Sequence, residues 1–283
     1  MKKAYLYDFI SMGSLSYDRN KYEKIINDKL IPGGAVAYSA KTSVNLGLQT
    51  GIITSTQREY PLKKKLDNVD ILTQNTSEIP IFHNYFSGQI RQQKLFNFST
   101  HITKKDIPEK VFSKILFVAP LLDEISSDCS DWIDHKISCL VPSGWFRKIR
   151  KNGTIHLEDN IAKIHNGKWD IIVISKDELK STNTRLSTLK KKSNYLCVTK
   201  GGEGVQIFYE KEIFSVPAFE VEYKDLNGAG DVWAASFTIA ISQGKNILES
   251  AYFANACSAI SIKFEGLDFS LLNSEIYRLI NAK

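Results

Sequence analysis

The sequence predicts an α/β fold in which a doubly wound, mostly parallel sheet carries helices on both faces. Short apolar runs alternate with helical patterns from Asp8 to Asn281, which is typical of repeated βαβ units. Runs such as DIIVI (170–174) and YLCVT (195–199) are almost entirely apolar, as expected of strands covered on both faces. The chain has 283 residues with 43% hydrophobic content, and no Pro-rich or Ser-rich linker divides it. One large domain is therefore expected.

Composition limits the cellular setting and the partners. The opening MKKAYLYDFISMG contains no long apolar run, so we expect a soluble, cytoplasmic chain without signal peptide or membrane anchor. The net charge is +6, but the lysines are dispersed or grouped beside leucines, which indicates solvated helix faces and no nucleic-acid partner. The cysteines lack metal-ligand spacing, so we expect reduced, buried, inert thiols. They are Cys129, Cys139, Cys197 and Cys257.

The first half of the chain predicts a strand, a helix, a strand and a hairpin. The first strand covers Asp8–Met12, and Pro32–Gly34 form a flexible entry to a helix before a strand at 51–54. The residues of that helix expected to face the core are Ala37, Ala40, Val44 and Leu48. From Ile81, IFHNYFSGQIRQQKLFNF alternates in polarity around a turn at Ser87 and Gly88, which predicts a hairpin.

The second half continues the alternation. KILFVA (114–119) and ISCLV (137–141) predict buried strands, with a helix in SSDCSDWIDHK between them. In PSGWFRKIRKNGTI, packing of Trp145 beside a solvated Arg147 is favoured. SKDEL after DIIVI resembles a helix start capped by Ser175 or Ser181. KGGEGVQIF predicts a turn and hairpin, and ILESAYFANACSAISIKFEG predicts an amphipathic helix with a small-residue face.

The stretch DLNGAGD, Asp225 to Asp231, places a glycine-rich turn and a carboxylate at the start of a buried helix. The small residues Gly228, Ala229 and Gly230 allow close backbone approach, and a helix N-terminus stabilises an anion. A bound phosphate would repel Asp231 unless this carboxylate takes a proton from a hydroxyl that attacks the phosphate. That combination suits phosphoryl transfer to an alcohol. The alternative is a tight strand-to-helix connection with a favourable first-turn acid.

The segment DLNGAGDVWAASF resembles the C-terminal signature of the ribokinase-like (PfkB) family of carbohydrate kinases, D-T-x-G-A-G-D before a small, apolar run, with departures at Leu226 and Ser236. Tyr38 replaces a common asparagine of that family, which argues against ribose. GGAxxYxA is closer to the inositol-kinase-like and uncharacterised sugar-kinase branches. The resemblance implies a ribokinase-like fold over residues 1–283, with a small β-sheet lid formed by insertions at about 14–32 and 81–100.

The resemblance also implies an ATP-dependent, Mg²⁺-requiring kinase with Asp231 as the base and Gly228, Ala229 and Gly230 as the anion hole. Implied substrate-binding residues are Asp18, Gly33, Gly34, Tyr38, Arg91 and Gln93. Implied nucleotide-binding residues are Ser175, Thr199, Lys200, Gly202, Gly204, Asn227 and Asn255. Glu178 is the implied Mg²⁺ residue, acting through water. Asp225 is the implied site of a monovalent cation such as K⁺, which the departure at Leu226 leaves open.

The implied partner is a small sugar, polyol or cyclitol, without nucleic acid or membrane, and the exposed hairpin invites a homodimer through the lid. Two alternatives remain open. A nucleoside kinase of the same fold would stack a base on Phe82, Tyr85 or Phe86. A catalytically silent relative would serve as a binding or scaffold subunit, which the altered Ser175 and Tyr38 favour and the intact Asp231 disfavours.

Overall fold

The computed structural model describes residues 5–22, 25–55, 65–72, 78–87, 90–95, 98, 101–164 and 169–282. In chain order its strands are β1 Tyr5–Met12, β2 Ser16–Tyr22, β3 Ile25–Gly33, β4 Thr50–Ile53, β5 Val69–Ile71, β6 Ile81–Ser87, β7 Ile90–Leu95, β8 Val111–Val118, β9 Asp134–Leu140, β10 Arg147–Ile149, β11 Ile155–Leu157, β12 Trp169–Ser175, β13 Ser193–Thr199, β14 Val205–Tyr209 and β15 Glu212–Val216. Its helices are α1 Ala35–Asn45, α2 Ser143–Phe146, α3 Lys176–Thr182, α4 Leu186–Lys190, α5 Ala229–Ser242, α6 Ile247–Ser261 and α7 Asn273–Asn281.

The expected α/β fold is confirmed. In the described part of the chain, nine strands form one sheet in the order β15-β14-β13-β12-β9-β8-β1-β4-β5. Its strands are parallel from β13 to β5, and β14 and β15 add an antiparallel edge. Successive residues face opposite sides, so Phe9 packs into the core beneath α1, α5 and α6, and Ile10 into the core on the other face.

A second, smaller sheet has the order β3-β2-β6-β7. Its β2–β3 and β6–β7 pairs are antiparallel, and β2 and β6 run parallel. The expected hairpin is therefore confirmed, although Gly88 of its turn lies outside the described residues. Phe82 and Leu95 of this sheet pack against Leu121 in the loop after β8. The amide of Leu95 donates to the carbonyl of Gly153 at 2.8 Å, which also joins the sheet to the β10–β11 ribbon.

Three predicted details were wrong. SSDCSDWIDHK is not a helix, because only Cys129–Trp132 form a short turn and β9 already begins at Asp134. Residues from Asp134 onward pair with β8, beginning with Phe112 opposite Asp134, so only one short turn fits between the two strands. Leu48 lies beyond the end of α1 at Asn45. Helix α6 is buried along most of its length rather than amphipathic, because it packs against both α5 and α7.

The four cysteines are free and buried, and burial raises the pKa of every one of these thiols. They are therefore poor nucleophiles at neutral pH, as expected. Among the described helices, none combines the length and the apolar character that crossing a bilayer requires.

Candidate active site

The glycine turn begins helix α5. Gly228 is the N-cap residue with φ 73°, and a Cβ atom there would lie 2.2 Å from Cδ1 of Tyr38. Only glycine satisfies both the left-handed backbone and the contact with this ring. The first intrahelical bond runs from the Val232 amide to the Gly228 carbonyl at 2.9 Å. Of the preceding amides, that of Ala229 donates to the Leu226 carbonyl at 3.4 Å, whereas those of Gly230 and Asp231 belong to the first turn, where helices leave N–H groups available to an anion.

Asp231 lies in this first turn. The residue as a whole is partly exposed, whereas its carboxyl group is buried. Burial of its carboxyl group raises the pKa to about 7, with the positive charge of Arg147 opposing this effect and the negative charge of Glu178 adding to it. A carboxyl group with a pKa near neutrality can take a proton from a hydroxyl group and release it later. The structure thus gives Asp231 the electrostatic setting of a general base.

A cavity of about 110 Å³ opens beside Asp231, between the two sheets. It brings together most of the predicted substrate-binding residues with the glycine turn. Among its lining residues are Ser16, Asp18, Gly34, Tyr38, Phe82, Gln93, Arg147, Asn227, Gly228 and Asp231. Gly33 does not line the cavity itself but leaves room for Asp18, because a Cβ atom at residue 33 would lie 2.7 Å from Oδ2 of Asp18. Arg91 is part of β7, but its side chain lies outside the described residues. We call this space the acceptor cavity.

Asp18 is held by side chains of the small sheet. The Nδ2 group of Asn84 donates to Oδ1 of Asp18 at 3.2 Å and to Oδ1 of Asn20 at 2.9 Å. Gln93 in turn donates to Oδ1 of Asn84 at 2.9 Å. Sequence reasoning missed Asn84, although it stands in the same predicted hairpin as Gln93 and lies on the same face of β6 as Phe82. This network fixes the carboxylate at the cavity wall.

Arg147 was interpreted wrongly. Trp145 does pack in the core, with its indole N–H donating to the Ile125 carbonyl at 3.0 Å. Arg147, however, lines the acceptor cavity instead of standing on a solvated surface. Its Nη1 donates to the Leu121 carbonyl at 3.2 Å, and its guanidinium carbon lies 5.9 Å from the centre of the Phe82 ring. The sequence signal that could have found Arg147 is its position in the segment that follows β9, because ligands of such sheets bind beyond the carboxyl ends of the strands.

A second cavity, of about 500 Å³, lies on the other side of the glycine turn. It is lined by the predicted residues Thr199, Gly202, Gly204 and Asn255, and also by Gly201, Ala218, Val221, Leu226, Ala229, Gly230, Trp233 and Ile262. Asn255 is fixed, because its Oδ1 accepts from the Trp233 indole at 2.7 Å and its Nδ2 donates to the Pro217 carbonyl at 2.8 Å. We call this space the donor cavity.

The other predicted nucleotide-binding residues fall elsewhere. Asn227 lines the acceptor cavity instead. Ser175 caps α3, and Lys200 precedes the short turn Gly201–Glu203 and donates its amide to the Gly204 carbonyl at 2.8 Å. Neither Ser175 nor Lys200 is among the described residues that line the donor cavity. Spacing in the sequence located this region of the chain but could not assign each residue to one cavity.

Glu178 takes part in a capping box at the start of α3. Its Oε2 accepts from the amide of Ser175 at 2.9 Å and from the hydroxyl of Ser175 at 2.8 Å, whereas Oε1 is not used in this box. Over the described ranges, no group of three or more His, Cys, Asp or Glu side chains is arranged to hold a metal ion. Mg²⁺ usually keeps several waters and needs few protein ligands, so a single carboxylate with one available oxygen fits a water-mediated role.

Asp225 anchors the loop before the glycine turn. Its Oδ1 accepts from the amide of Asn227 at 2.9 Å and its Oδ2 from the amide of Gly266 at 3.0 Å. One carboxylate oxygen therefore holds the loop itself, and the other joins this loop to the segment after α6. This contact explains the residue structurally, and a cation beside it stays a prediction.

Comparisons with known proteins point to a family of carbohydrate kinases. Residues 165–273 match the model of the pfkB family carbohydrate kinases. A ribokinase of Bacillus subtilis (strain 168) is 36% identical over 67 residues, which are 24% of this chain and 23% of that protein. The bifunctional protein HldE of Sulfurimonas denitrificans is 26% identical over 250 residues, which are 80% of this chain and 50% of that protein. The chain thus matches at most about half the length of these two relatives.

A solved structure of similar fold is a pyrophosphate-dependent kinase in the ribokinase family, complexed with a pyrophosphate analog and myo-inositol. It superposes with a TM-score of 0.78 at 17% identity, over 95% of this chain and 99% of that one. At this identity the likeness establishes the fold, which is that of ribokinases.

Proposed function

We propose that this chain, which contains a PfkB family carbohydrate kinase domain with the ribokinase fold, transfers a phosphoryl group to a hydroxyl of a small sugar, polyol or cyclitol. One observation carries the proposal. Asp231 and Gly228 line the acceptor cavity, and Ala229 and Gly230 line the donor cavity, so the two spaces meet at a single helical turn. An acceptor hydroxyl and a donor phosphate bound in them would meet at the base and the anion hole.

In this mechanism the acceptor hydroxyl donates its proton to Asp231 as its oxygen attacks the terminal phosphorus of the donor. The amides of the first turn of α5 stabilise the charge on the transferring group. Asp18, oriented by Asn84, accepts a hydrogen bond from another hydroxyl of the substrate and sets its position. When bound, Mg²⁺ neutralises charge on the donor phosphates, and Glu178 would hold its water shell.

We propose ATP as the donor because of the size and the lining of the donor cavity. Its exposed surface is mostly apolar, with Trp233, Val221 and Ile262 among its walls, and such a surface suits a nucleotide base. Pyrophosphate, the donor of the similar solved kinase, would not need this space. The binding of K⁺ beside Asp225, a cytoplasmic location, the lid role of the small sheet and a homodimer through it belong to the same proposal.

A nucleoside acceptor is the second candidate. Phe82 lines the acceptor cavity, but the guanidinium of Arg147 lies over its ring, and the half-exposed ring of Tyr85 is approached by Lys94 instead. The side chain of Phe86 lies outside the described residues. Competition by adenosine against the best sugar or polyol would distinguish a nucleoside kinase.

The test measures acceptor-dependent phosphoryl transfer in the presence of Mg²⁺. The acceptors are sugars, polyols, myo-inositol and nucleosides, and ATP and pyrophosphate are compared as donors. We expect one acceptor to stimulate ADP formation well above background, and Asp231→Asn to abolish the stimulation. Faster transfer from pyrophosphate would contradict the donor assignment. If ATP binds but no acceptor stimulates the wild type above Asp231→Asn, the catalytic prediction fails for this panel and the scaffold alternative replaces the kinase.

A further inference from the structure

The acceptor cavity contains a cation, Arg147, that forms no ion pair with the described residues. Arg147 is partly buried at the start of β10. Its contacts are neutral, because Nη1 donates to the Leu121 carbonyl at 3.2 Å and the Phe82 ring lies under the guanidinium. Within the described part of the chain, no carboxylate forms an ion pair with it, whereas neighbouring Lys148 reaches Asp123 at 4.0 Å.

The carboxylates that line the same cavity have other tasks. Asp18 is bound by the Asn84 amide at 3.2 Å and lies against Gly33. Asp231 stands in the first turn of α5, and the charge of Arg147 reaches it only as a Coulombic influence, without a hydrogen bond between the two. Both carboxylates are placed to accept hydrogen bonds from hydroxyl groups of an acceptor. Among the described residues, neither forms an ion pair with the guanidinium, although the charge of Arg147 acts on Asp231.

A partly buried charge without a partner is costly, and the planar fork of arginine matches the two oxygens of a carboxylate or a phosphate. Phe82 and Leu121, which hold Arg147, belong to the cluster in which the small sheet meets the loop after β8. Gly228 and Asp231 approach the cavity from the helix side. Arg147 is therefore placed to bind the end of the acceptor that contacts the small sheet.

We propose that the acceptor carries a carboxylate or phosphate group, which binds to Arg147 while a hydroxyl of the same molecule reaches Asp231. This inference rests on the proposed kinase function and narrows its substrate class to sugar acids or sugar phosphates. The acceptor anion takes part in binding only, so the bond that forms joins the acceptor oxygen to the transferred phosphorus. The bond that breaks joins that phosphorus to the leaving oxygen of the donor.

The test compares acceptors that share a hydroxyl pattern but differ in charge, namely glucitol, glucose, gluconate and glucose 6-phosphate, with analogous sets for other sugars and for inositol. Wild type, Arg147→Gln, Arg147→Lys and Lys148→Gln are assayed for kcat and KM, and acceptor binding without a donor is measured by calorimetry. Lys148→Gln is the matched control, because it removes one charge from the next residue of β10 without touching the cavity lining.

We expect the wild type to prefer an anionic acceptor to its neutral counterpart. Arg147→Gln should lower kcat/KM for that acceptor by about 10- to 100-fold, mainly through KM, as loss of a charge-assisted hydrogen bond predicts. For neutral acceptors the change should stay below about threefold when the rates are compared on the alkaline plateau, where Asp231 is ionised with or without the charge of Arg147. Arg147→Lys should be intermediate, and Lys148→Gln should match the wild type. Comparison of the carboxylate with the phosphate shows which anion is bound.

A neutral acceptor that outperforms every charged counterpart would overturn the inference and leave the kinase proposal standing. Equal losses for charged and neutral acceptors in Arg147→Gln would also overturn it. If no compound is phosphorylated, the kinase proposal fails for the panel, and calorimetry then tests the anion site by itself. Anion binding that Arg147→Gln abolishes would still support the anion site, and binding that is weak or equal in both proteins would contradict it.

Discussion

Replacing Asp231 by asparagine should stabilise the protein while it abolishes the proposed activity. In the folded chain, burial raises the pKa of this carboxyl group from its ordinary value of 3.8 to about 7. The folded state therefore prefers the neutral carboxyl group. The stability that this group provides is fully present below about pH 4 and is lost as the pH rises through about 7. Asparagine has similar shape and no charge, so it removes this penalty at every pH.

The difference between 3.8 and about 7 corresponds to about 4 kcal/mol of unfolding free energy, at about 1.4 kcal/mol for each pK unit. Partial exposure of the residue lowers the expectation to about 2 to 4 kcal/mol in alkaline solution. The penalty is only partly developed at about pH 5, where the unfolded carboxyl group is already ionised. The stabilisation by Asp231→Asn should therefore grow by about 2 kcal/mol between about pH 5 and about pH 8.5.

The assay is urea unfolding of the wild type and Asp231→Asn over this pH range. Asp225→Asn, in the loop that precedes α5, is the matched control. It should destabilise the protein by about 1 to 3 kcal/mol, because the Asp225 carboxylate accepts bonds from two backbone amides. If Asp231→Asn is less stable than the wild type, or if its stabilisation does not change with pH, the burial argument is refuted.

Three further predictions concern the surroundings of the site. Gly228→Ala should lose about 2 to 4 kcal/mol of stability and most activity, because its Cβ atom would meet Tyr38 at φ 73°. Gly230→Ala, with nothing within 4 Å, should keep its urea midpoint, and equal midpoints for the two variants would contradict this. Glu178→Gln should move the acid limb of the kcat/KM profile to lower pH, because its charge raises the pKa of Asp231. An upward shift would disprove that coupling. Asn255→Leu should destabilise the chain by about 2 to 4 kcal/mol, because it leaves two hydrogen-bond partners unpaired. It should also weaken ATP binding measured by calorimetry, and unchanged binding would remove Asn255 from the donor site.

The strands, the hairpin and the glycine turn could be predicted because their signals are local. Apolar runs such as 170–174 became β12, and the small residues of 228–230 became the turn that only glycine at 228 permits. The helix predicted in SSDCSDWIDHK failed because its residues from Asp134 onward pair with β8 in the large sheet. No periodicity in the sequence shows such a contact.

The residues that sequence reasoning missed depend on contacts between segments distant in the chain. Asn84 acquires its role from Asp18, 66 positions away. Arg147 enters the acceptor cavity because the Leu121 carbonyl and the Phe82 ring hold it there. These contacts form where the small sheet meets the large one, and their geometry follows from packing rather than from spacing.

The central claim is that Asp231 is the base for phosphoryl transfer between the two cavities. Its most direct test is the single-turnover rate of phosphorylated product formation by enzyme saturated with ATP, Mg²⁺ and the best acceptor, followed over pH. If Asp231 is the base, the rate should rise with a midpoint near about pH 7 and fall by several orders of magnitude in Asp231→Asn, while calorimetry shows that Asp231→Asn still binds ATP. A rate for Asp231→Asn within about tenfold of the wild-type rate over the same pH range would contradict the claim.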